Sequence, residues 1–307
     1  VNRAETFQQE GYGAIMKLRE YVKPFQVADG SHFRLKNFDP ADTLGLKSKE
    51  YAKKTLERGI ARLAELQEKL YAQDRRAILL ILQAMDAAGK DSTIKHVMSG
   101  INPQGCQVNS FKTPSAEELQ HDFLWRTSHS LPERGKIGIF NRSYYEEVLA
   151  VRVHPELLAR QRIPAQLVLD NIWQKRFEDI NAFEHYLTGN GFMVLKFFLY
   201  LSKKEQKRRF FERLEDPDKN WKFSMSDALE RQHWDKYMRA YEDMIRNTST
   251  KHAPWYVVPA DHKWFTRLVV AEATINAMES LDLSFPKMDA EKRKELKDAR
   301  AALEHEG

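Results

Sequence analysis

One cysteine, Cys106, occurs in 307 residues, so no disulfide can form within the chain and the composition fits a reducing compartment. As a lone thiol it reads as a packing residue rather than a nucleophile. No apolar run approaches the ~20 residues a membrane helix needs. Val1 to Lys17 show no basic stretch followed by an apolar one, so no secretion signal is read and a cytoplasmic protein is expected. None of the ten histidines falls in an H-x-x-x-H pair, which leaves a zinc site unsupported. There is no G-x-S-x-G and no Cys/His pairing to suggest a hydrolase. Internal repeats and low-complexity linkers are absent as well.

The chain is long enough for one large domain or two small ones, with a substantial core. Its 42% hydrophobic and 30% charged residues are those of a soluble globular protein. A net charge of +5 and a pI near 9.0 mildly favour an anionic partner; nucleotides, polyphosphates and nucleic acids all satisfy that balance.

The most informative segment is Leu79-Leu80-Ile81-Leu82-Gln83-Ala84-Met85-Asp86-Ala87-Ala88-Gly89-Lys90-Asp91-Ser92-Thr93. An apolar run gives way to small residues, then Gly-Lys, then a helical pattern. That order reads as a strand, a phosphate-binding turn and a helix N-terminus. Small residues let backbone N–H groups approach an anion, the helix dipole favours negative charge there, and Lys90 adds a full positive charge. Ala84 replaces the first Gly of the G-x-x-x-x-G-K-[ST] pattern, and Asp91 replaces its Ser or Thr. An ordinary strand-to-helix turn with an incidental Gly-Lys is the competing reading. Asp86 and Asp91 weigh against it: a carboxylate in a phosphate turn repels its ligand unless a divalent cation lies between them.

Around this turn, β-rich runs occur near 77–83, 106–111, 136–140, 192–201 and 255–259, with helical stretches between them. The pattern predicts an α/β fold with a parallel five-stranded sheet flanked by helices. Leu56, Ile60, Leu63, Leu66 and Leu70 mark a long amphipathic helix over 47–73. Ser115 to Glu118 and Ser202 to Glu205 read as capping boxes. Residues 1–45 form an N-terminal extension without assigned chemistry, 46–285 a catalytic domain, and 286–307 a charged, solvated C-terminal helix.

Ligands bind beyond the carboxyl ends of parallel strands, which places Ala84–Lys90, Lys112 and Asn141-Arg142 along one rim. Arg142 and Lys112 are suited to phosphate oxygens. Glu146 and Glu147 are either site carboxylates or acids favoured by a helix N-terminus alone. Asp122 and Arg126, four apart, read as an intrahelical ion pair. The segment 202–225 carries Lys203, Lys204, Lys207, Arg208, Arg209, Arg213, Lys219 and Lys222, and it is expected to be a helical lid, with Arg209 and Arg213 on one functional face.

With the A-M-D-A-A-G-K-D turn, the F-N-R-S-Y-Y-E-E segment and E-R-L-E-D-P-x-K-x-W-K-F in view, the chain resembles the polyphosphate kinase 2 family from about Phe33 through Phe265. The resemblance implies a P-loop kinase core like that of thymidylate kinase, with a lid. It also implies transfer of the terminal phosphoryl group of inorganic polyphosphate to AMP and ADP, reversibly, with Mg²⁺ or Mn²⁺. By position it implies Asp86 and Asp91 as metal-organising carboxylates and Lys90 as the P-loop lysine, and it gives Arg142 and Arg209 as holders of polyphosphate. Ala87, Ala88, Gly89, Ser92, Thr93, Lys112, Arg213 and Lys222 are the remaining expected phosphate contacts. Many relatives carry Asp-Arg-Ser where this chain has Asn141-Arg142-Ser143. The Asn form resembles the subgroup that accepts nucleoside monophosphates as well as diphosphates, and Glu146 is connected with that choice. A metal role is shifted from position 141 toward Asp86 and Glu147. A homo-oligomer, dimer or tetramer, is implied, with ATP as a further nucleotide partner and neither nucleic acid nor membrane as one. Two rivals are an ATP-dependent nucleoside monophosphate kinase and a non-enzymatic basic module that binds polyanions.

Overall fold

The computed structural model describes residues 22–305. Its sheet has strands β1 (Gln26–Val27), β2 (Ala77–Gln83), β3 (Cys106–Ser110), β4 (Ile137–Asn141), β5 (Phe192–Tyr200) and β6 (Trp255–Pro259). They lie in the order β1-β6-β5-β2-β4-β3, and every pairing except β1 with β6 is parallel. The five expected strands are present. The sixth corrects the count: Gln26 and Val27 come from the segment read as an extension and add an antiparallel edge. Two residues are too short for strand periodicity to register.

Among the described residues, helices of eight residues or more are α1 (Lys49–Gln73), α2 (Lys90–Val97), α3 (Ile172–Gly189), α4 (Lys203–Glu215), α5 (Trp234–Thr248), α6 (Lys263–Glu279) and α7 (Ala290–Glu304). Ser48 caps α1 through Tyr51 N–H, and Ser202 caps α4 through Glu205 N–H. α7 buries no residue. No helix among the described residues is long and apolar enough to cross a membrane.

Parallel sheets are covered on both faces, and β2 is buried at all seven positions. Side chains alternate across a strand, so Ile78, Leu80 and Leu82 pack with Leu63, Leu66 and Leu70 of α1 and Val269 and Ala273 of α6. Leu79 and Ile81 join Phe177, Ile180 and Leu187 of α3 and Met244 and Ile245 of α5 on the other face.

One ionic cluster interrupts that second core. Lys196 Nζ donates to Glu184 Oε2 at 2.6 Å, to the Thr248 carbonyl at 2.7 Å and to Tyr145 Oη at 3.0 Å. Glu184 Oε1 accepts from the hydroxyls of Tyr144 at 2.9 Å and Tyr145 at 2.7 Å. Both charges are fully buried. Breaking such a pair from one side leaves an uncompensated charge, so Lys196→Met is expected to lower unfolding free energy by about 3–5 kcal/mol in a urea titration.

Cys106 starts the edge strand β3, and burial pushes its thiol up to about 11. The thiolate is the reactive form, and only about one thiol in a thousand is ionised at pH 8. A disulfide-exchange reagent should therefore label native protein far more slowly than urea-unfolded protein, and the native rate should climb as pH rises toward 11.

Candidate active site

β2 lies between β5 and β4, so its carboxyl end opens between two parallel neighbours, where a ligand crevice forms in such sheets. The chain leaves β2 through Ala84 to Gly89 and enters α2 at Lys90. Two turn residues take left-handed backbone: Ala87 at φ 63° and Gly89 at φ 103°. Gly89 reaches its value without steric cost; Ala87 does not. The first N–H groups of α2 have no intrahelical partner and face the dipole's positive end.

Side chains of α4 fix the turn from behind. Arg209 of α4, 3% exposed, donates Nη1 to the carbonyls of Ala87 and Ala88, both at 3.0 Å. Its Nη2 donates to the carbonyls of Ala260 at 2.6 Å and Asp261 at 3.1 Å, and its Nε to Glu205 Oε1 at 2.8 Å. Gln206 adds a bond to the Asp86 carbonyl at 2.9 Å. Arg209, expected as a holder of polyphosphate, also lines the groove over the turn. Its five N–H donors already serve protein acceptors, so it positions the turn. The first part of the expected lid is thereby attached to the P-loop, and Arg209, Glu212, Arg213 and Lys219 of the segment line the groove.

On the ligand side, Lys90 Nζ donates to the Ala84 carbonyl at 2.9 Å. Desolvation, with Arg142 close by, draws Lys90 down to about 8. Arg142 Nη2 bonds Asp86 Oδ1 at 2.8 Å, and Asn141 Nδ2 bonds Asp91 Oδ1 at 2.6 Å. Asn141 is the last residue of β4. Its neutral amide supports Asp91, where an Asp would repel it. Arg142 itself takes left-handed backbone at φ 65°, a strained conformation at the edge of the groove. The Glu146 carboxylate opposite it, more than any other group, holds the guanidinium above its usual value.

Glu146 and Glu147 share a short 3₁₀ turn over Tyr144–Val148, and adjacent residues there point in different directions. Glu146 faces Arg142. Glu147 is 6% exposed, accepts from Arg176 Nε at 3.0 Å and Gln161 Nε2 at 2.7 Å, and so is a buried ion-pair member instead of the expected metal or catalytic group. Thr93 is likewise corrected: it is buried within α2. Ser92 Oγ accepts from Arg267 Nη2 at 2.8 Å. Asp122 and Arg126 do not pair. Asp122 precedes the short helix Trp125–Ser128 and caps Leu124 N–H at 2.9 Å, while Arg126 donates to the Lys112 carbonyl at 2.8 Å and lies over the Phe111 ring.

Two cavities meet here. A groove of about 910 Å³ runs over the P-loop and is lined by Asp86, Lys90, Asp91, Ser110, Asn141 and Arg213. A second cavity of about 220 Å³ is bounded by Phe123, Leu119, Glu146, Val151, Leu157 and Arg160. Phe111, Lys112, Thr113 and Arg142 border both. Arg213 lies 3.9 Å from Asp227, a groove carboxylate that the sequence reading missed because it follows the basic segment in an unremarked helix. The side chain of Lys222 lies outside the described residues.

A phosphate turn backed by a buried arginine, with a basic groove and a smaller mixed cavity that share Arg142, defines a P-loop phosphotransferase. The chain belongs to the polyphosphate kinase 2 family, whose family model matches residues 45–286. It is 51% identical over 289 residues to an ADP-polyphosphate phosphotransferase of Rhodopseudomonas palustris, covering 94% of this chain and 99% of that one. It is 43% identical over 274 residues to an AMP/ADP-polyphosphate phosphotransferase of Meiothermus ruber, covering 89% and 98%. The crystal structure of polyphosphate kinase 2 from Arthrobacter aurescens superposes with a TM-score of 0.81 at 42% identity, covering 90% of this chain and 96% of that one.

Arg209→Met should leave two carbonyls of the turn and two just past β6 without their donor. The expected result is at least a hundredfold loss of turnover with a cooperative thermal transition retained, measured by initial rates beside a melting curve.

Proposed function

We propose that this chain moves the terminal phosphoryl group of inorganic polyphosphate onto AMP and ADP, giving ADP and ATP, and runs the reverse. The observation that carries this reading is the junction at Arg142: a long cation-lined groove for a polyanion on one side, a compact cavity for a nucleotide on the other. The names of the relatives from Rhodopseudomonas palustris and Meiothermus ruber support the donor and the acceptor class. Support for AMP beside ADP comes from Asn141 and from Glu146, which faces Arg142 in the acceptor cavity.

An oxygen of the acceptor's phosphate attacks the terminal phosphorus in line. The bond from that phosphorus to the bridging oxygen breaks, and the shortened polyphosphate leaves with the electron pair. No protein nucleophile is needed. Lys90 and the N–H groups at the start of α2 bind the donor's terminal oxygens, while Arg142 reaches the transferring group from between the two cavities.

Asp86 and Asp91 fit a divalent ion. Each has one oxygen in a hydrogen bond, to Arg142 or Asn141, and a second oxygen left for the groove. No group of three or more His, Cys, Asp or Glu gathers among the described residues. Such a sparse set suits Mg²⁺ or Mn²⁺ completed by phosphate oxygens and water. When bound, the ion supplies neutralisation of phosphate charge.

The test is purified protein with Mg²⁺ and long-chain polyphosphate, AMP and ADP supplied separately, and each nucleotide product quantified. ATP from ADP, with ADP and ATP from AMP, is expected. ADP formed only when ATP is the donor would replace this reading by an ATP-dependent kinase. Lys90→Ala should lower turnover by about a thousandfold or more; a polyanion-binding module would show no turnover to lose. Glu146→Asn is expected to reduce AMP use about tenfold more than ADP use. Equal losses remove Glu146 from acceptor selection.

A further inference from the structure

The segment from Asp216 to His233, between α4 and α5, has no core of its own: none of its described side chains is buried. Lys219, Trp221 and Asp227 in it line the P-loop groove, so its position shapes that groove. Its near end rests on α4 through the Phe210–Phe223 ring contact and the Arg213–Asp227 pair. Its far end is held at two consecutive residues. Arg231 Nη1 donates to the Lys203 carbonyl at 2.9 Å and to Gln206 Oε1 at 2.8 Å, and Gln206 is the residue whose amide holds the Asp86 carbonyl. Glu230, last in the short helix Met225–Glu230, makes the second attachment. Its Oε1 accepts from the Tyr237 hydroxyl and lies 2.7 Å from His154 Nε2.

His154 terminates the helix Ala150–Val153, whose Ala150 and Val151 line the smaller cavity. Its Nδ1 lies 3.3 Å from Glu156 Oε1, and its ring meets that of His233 edge-on with centroids 5.0 Å apart. Arg152 of the same helix pairs with Asp243 of α5 at 2.7 Å, so the helix is fixed to the core independently of Glu230. Burial, with the Glu230 carboxylate beside it, holds Tyr237 above its ordinary value, so its hydroxyl remains a donor; Glu146 acts on it in the same direction. One carboxylate thus joins a segment that lines the groove to a helix that lines the cavity. Where no side chain is buried, a few such contacts decide position.

We propose that Glu230 is a positioning residue that couples the two substrate sites: an acceptor seated against Ala150 and Val151 steadies residues 216–230 along the donor groove through His154, and a donor in the groove steadies the cavity wall in return. The inference rests on polyphosphate and AMP being the substrates. Glu230 lines neither space and adds no group to the chemistry. Coupling of this kind is reciprocal, so each ligand tightens the other by the same factor.

The test measures AMP affinity in Mg²⁺ buffer, with and without a triphosphate whose methylene bridges block transfer, beside amide hydrogen exchange over 216–230. In the unaltered protein the analogue should tighten AMP about tenfold, and AMP should tighten the analogue equally. Glu230→Ala and His154→Ala should each cut that factor below about twofold, with either ligand alone bound within about threefold of its original affinity. The double variant should lose no more than each single one, because both remove one contact. His154→Gln, whose amide still reaches Glu230, should restore most of the factor and guards against misfolding. Exchange over 216–230 in the free protein should be about tenfold faster in Glu230→Ala, with β2 unchanged. Coupling that survives Glu230→Ala, coupling absent from the unaltered protein, or His154→Gln behaving as His154→Ala overturns the proposal. Transfer from polyphosphate to ADP is assayed in the same preparations. Unaltered protein that transfers nothing sinks the proposed activity, while the exchange rates still decide whether Glu230 fixes the segment.

Discussion

The guanidinium of Arg209 is the contact on which the rest of the site depends. Burying an arginine is costly, and here desolvation outweighs every other influence on it. The cost is offset because a planar fork of five N–H groups meets five acceptors from three parts of the chain. Those acceptors include carbonyls of the phosphate turn and carbonyls just past β6. With Ala87 and Ala88 carbonyls held behind the turn, the opening of α2 is left to face the ligand. Glu205, drawn down to about 2 chiefly by its bonds to Arg208, keeps the arginine compensated from its own helix. Asp261 also accepts from Ser202 N–H at 2.8 Å, so the start of α4 and the end of β6 are fixed by one residue.

In front of the turn the free protein balances its own charge. Asp86 faces Arg142, Asp91 takes the amide of Asn141, and Lys90 leans on the Ala84 carbonyl. A phosphate entering this groove exchanges one set of charge-assisted bonds for another without meeting bare charge. That exchange keeps the resting site compact. It also makes binding depend on the surplus of cations along the rim, which for a polyanion means steep dependence on salt.

A second constraint lies under the smaller cavity. The buried Lys196–Glu184 pair holds the hydroxyls of Tyr144 and Tyr145, and these two residues carry the 3₁₀ turn that begins after Arg142. With both tyrosines anchored inward, Glu146 and Glu147 have no freedom to exchange roles. One is presented to Arg142; the other is drawn to Arg176. A charged cluster at zero exposure adds little net stability, but its geometry permits one arrangement of the turn.

Much of this was legible in the sequence because the signals are local. An apolar run, small residues and Gly-Lys define a strand, turn and helix whatever surrounds them, and β-rich runs spaced by helices imply parallel pairing. Ser202 announces its helix for the same reason. The two-residue strand Gln26–Val27 carried no such periodicity, and it exists because β6 offers an open edge. Glu146 and Glu147 look alike in sequence, since what separates them is Arg176, 29 residues beyond Glu147. Arg209 reads with Arg213 as a functional face of a basic helix, and its hold on the turn emerges only when Ala87, Ala88, Ala260 and Asp261 are brought around it. The sequence by itself determined the phosphate turn, the sheet that carries it and the cationic character of the groove, because each depends on residues adjacent in the chain. Only the tertiary structure decided which arginine supports the turn and which borders both cavities, and which of two neighbouring acids faces Arg142. Those outcomes depend on partners distant in sequence, and on how much water each charge keeps when the chain closes around it.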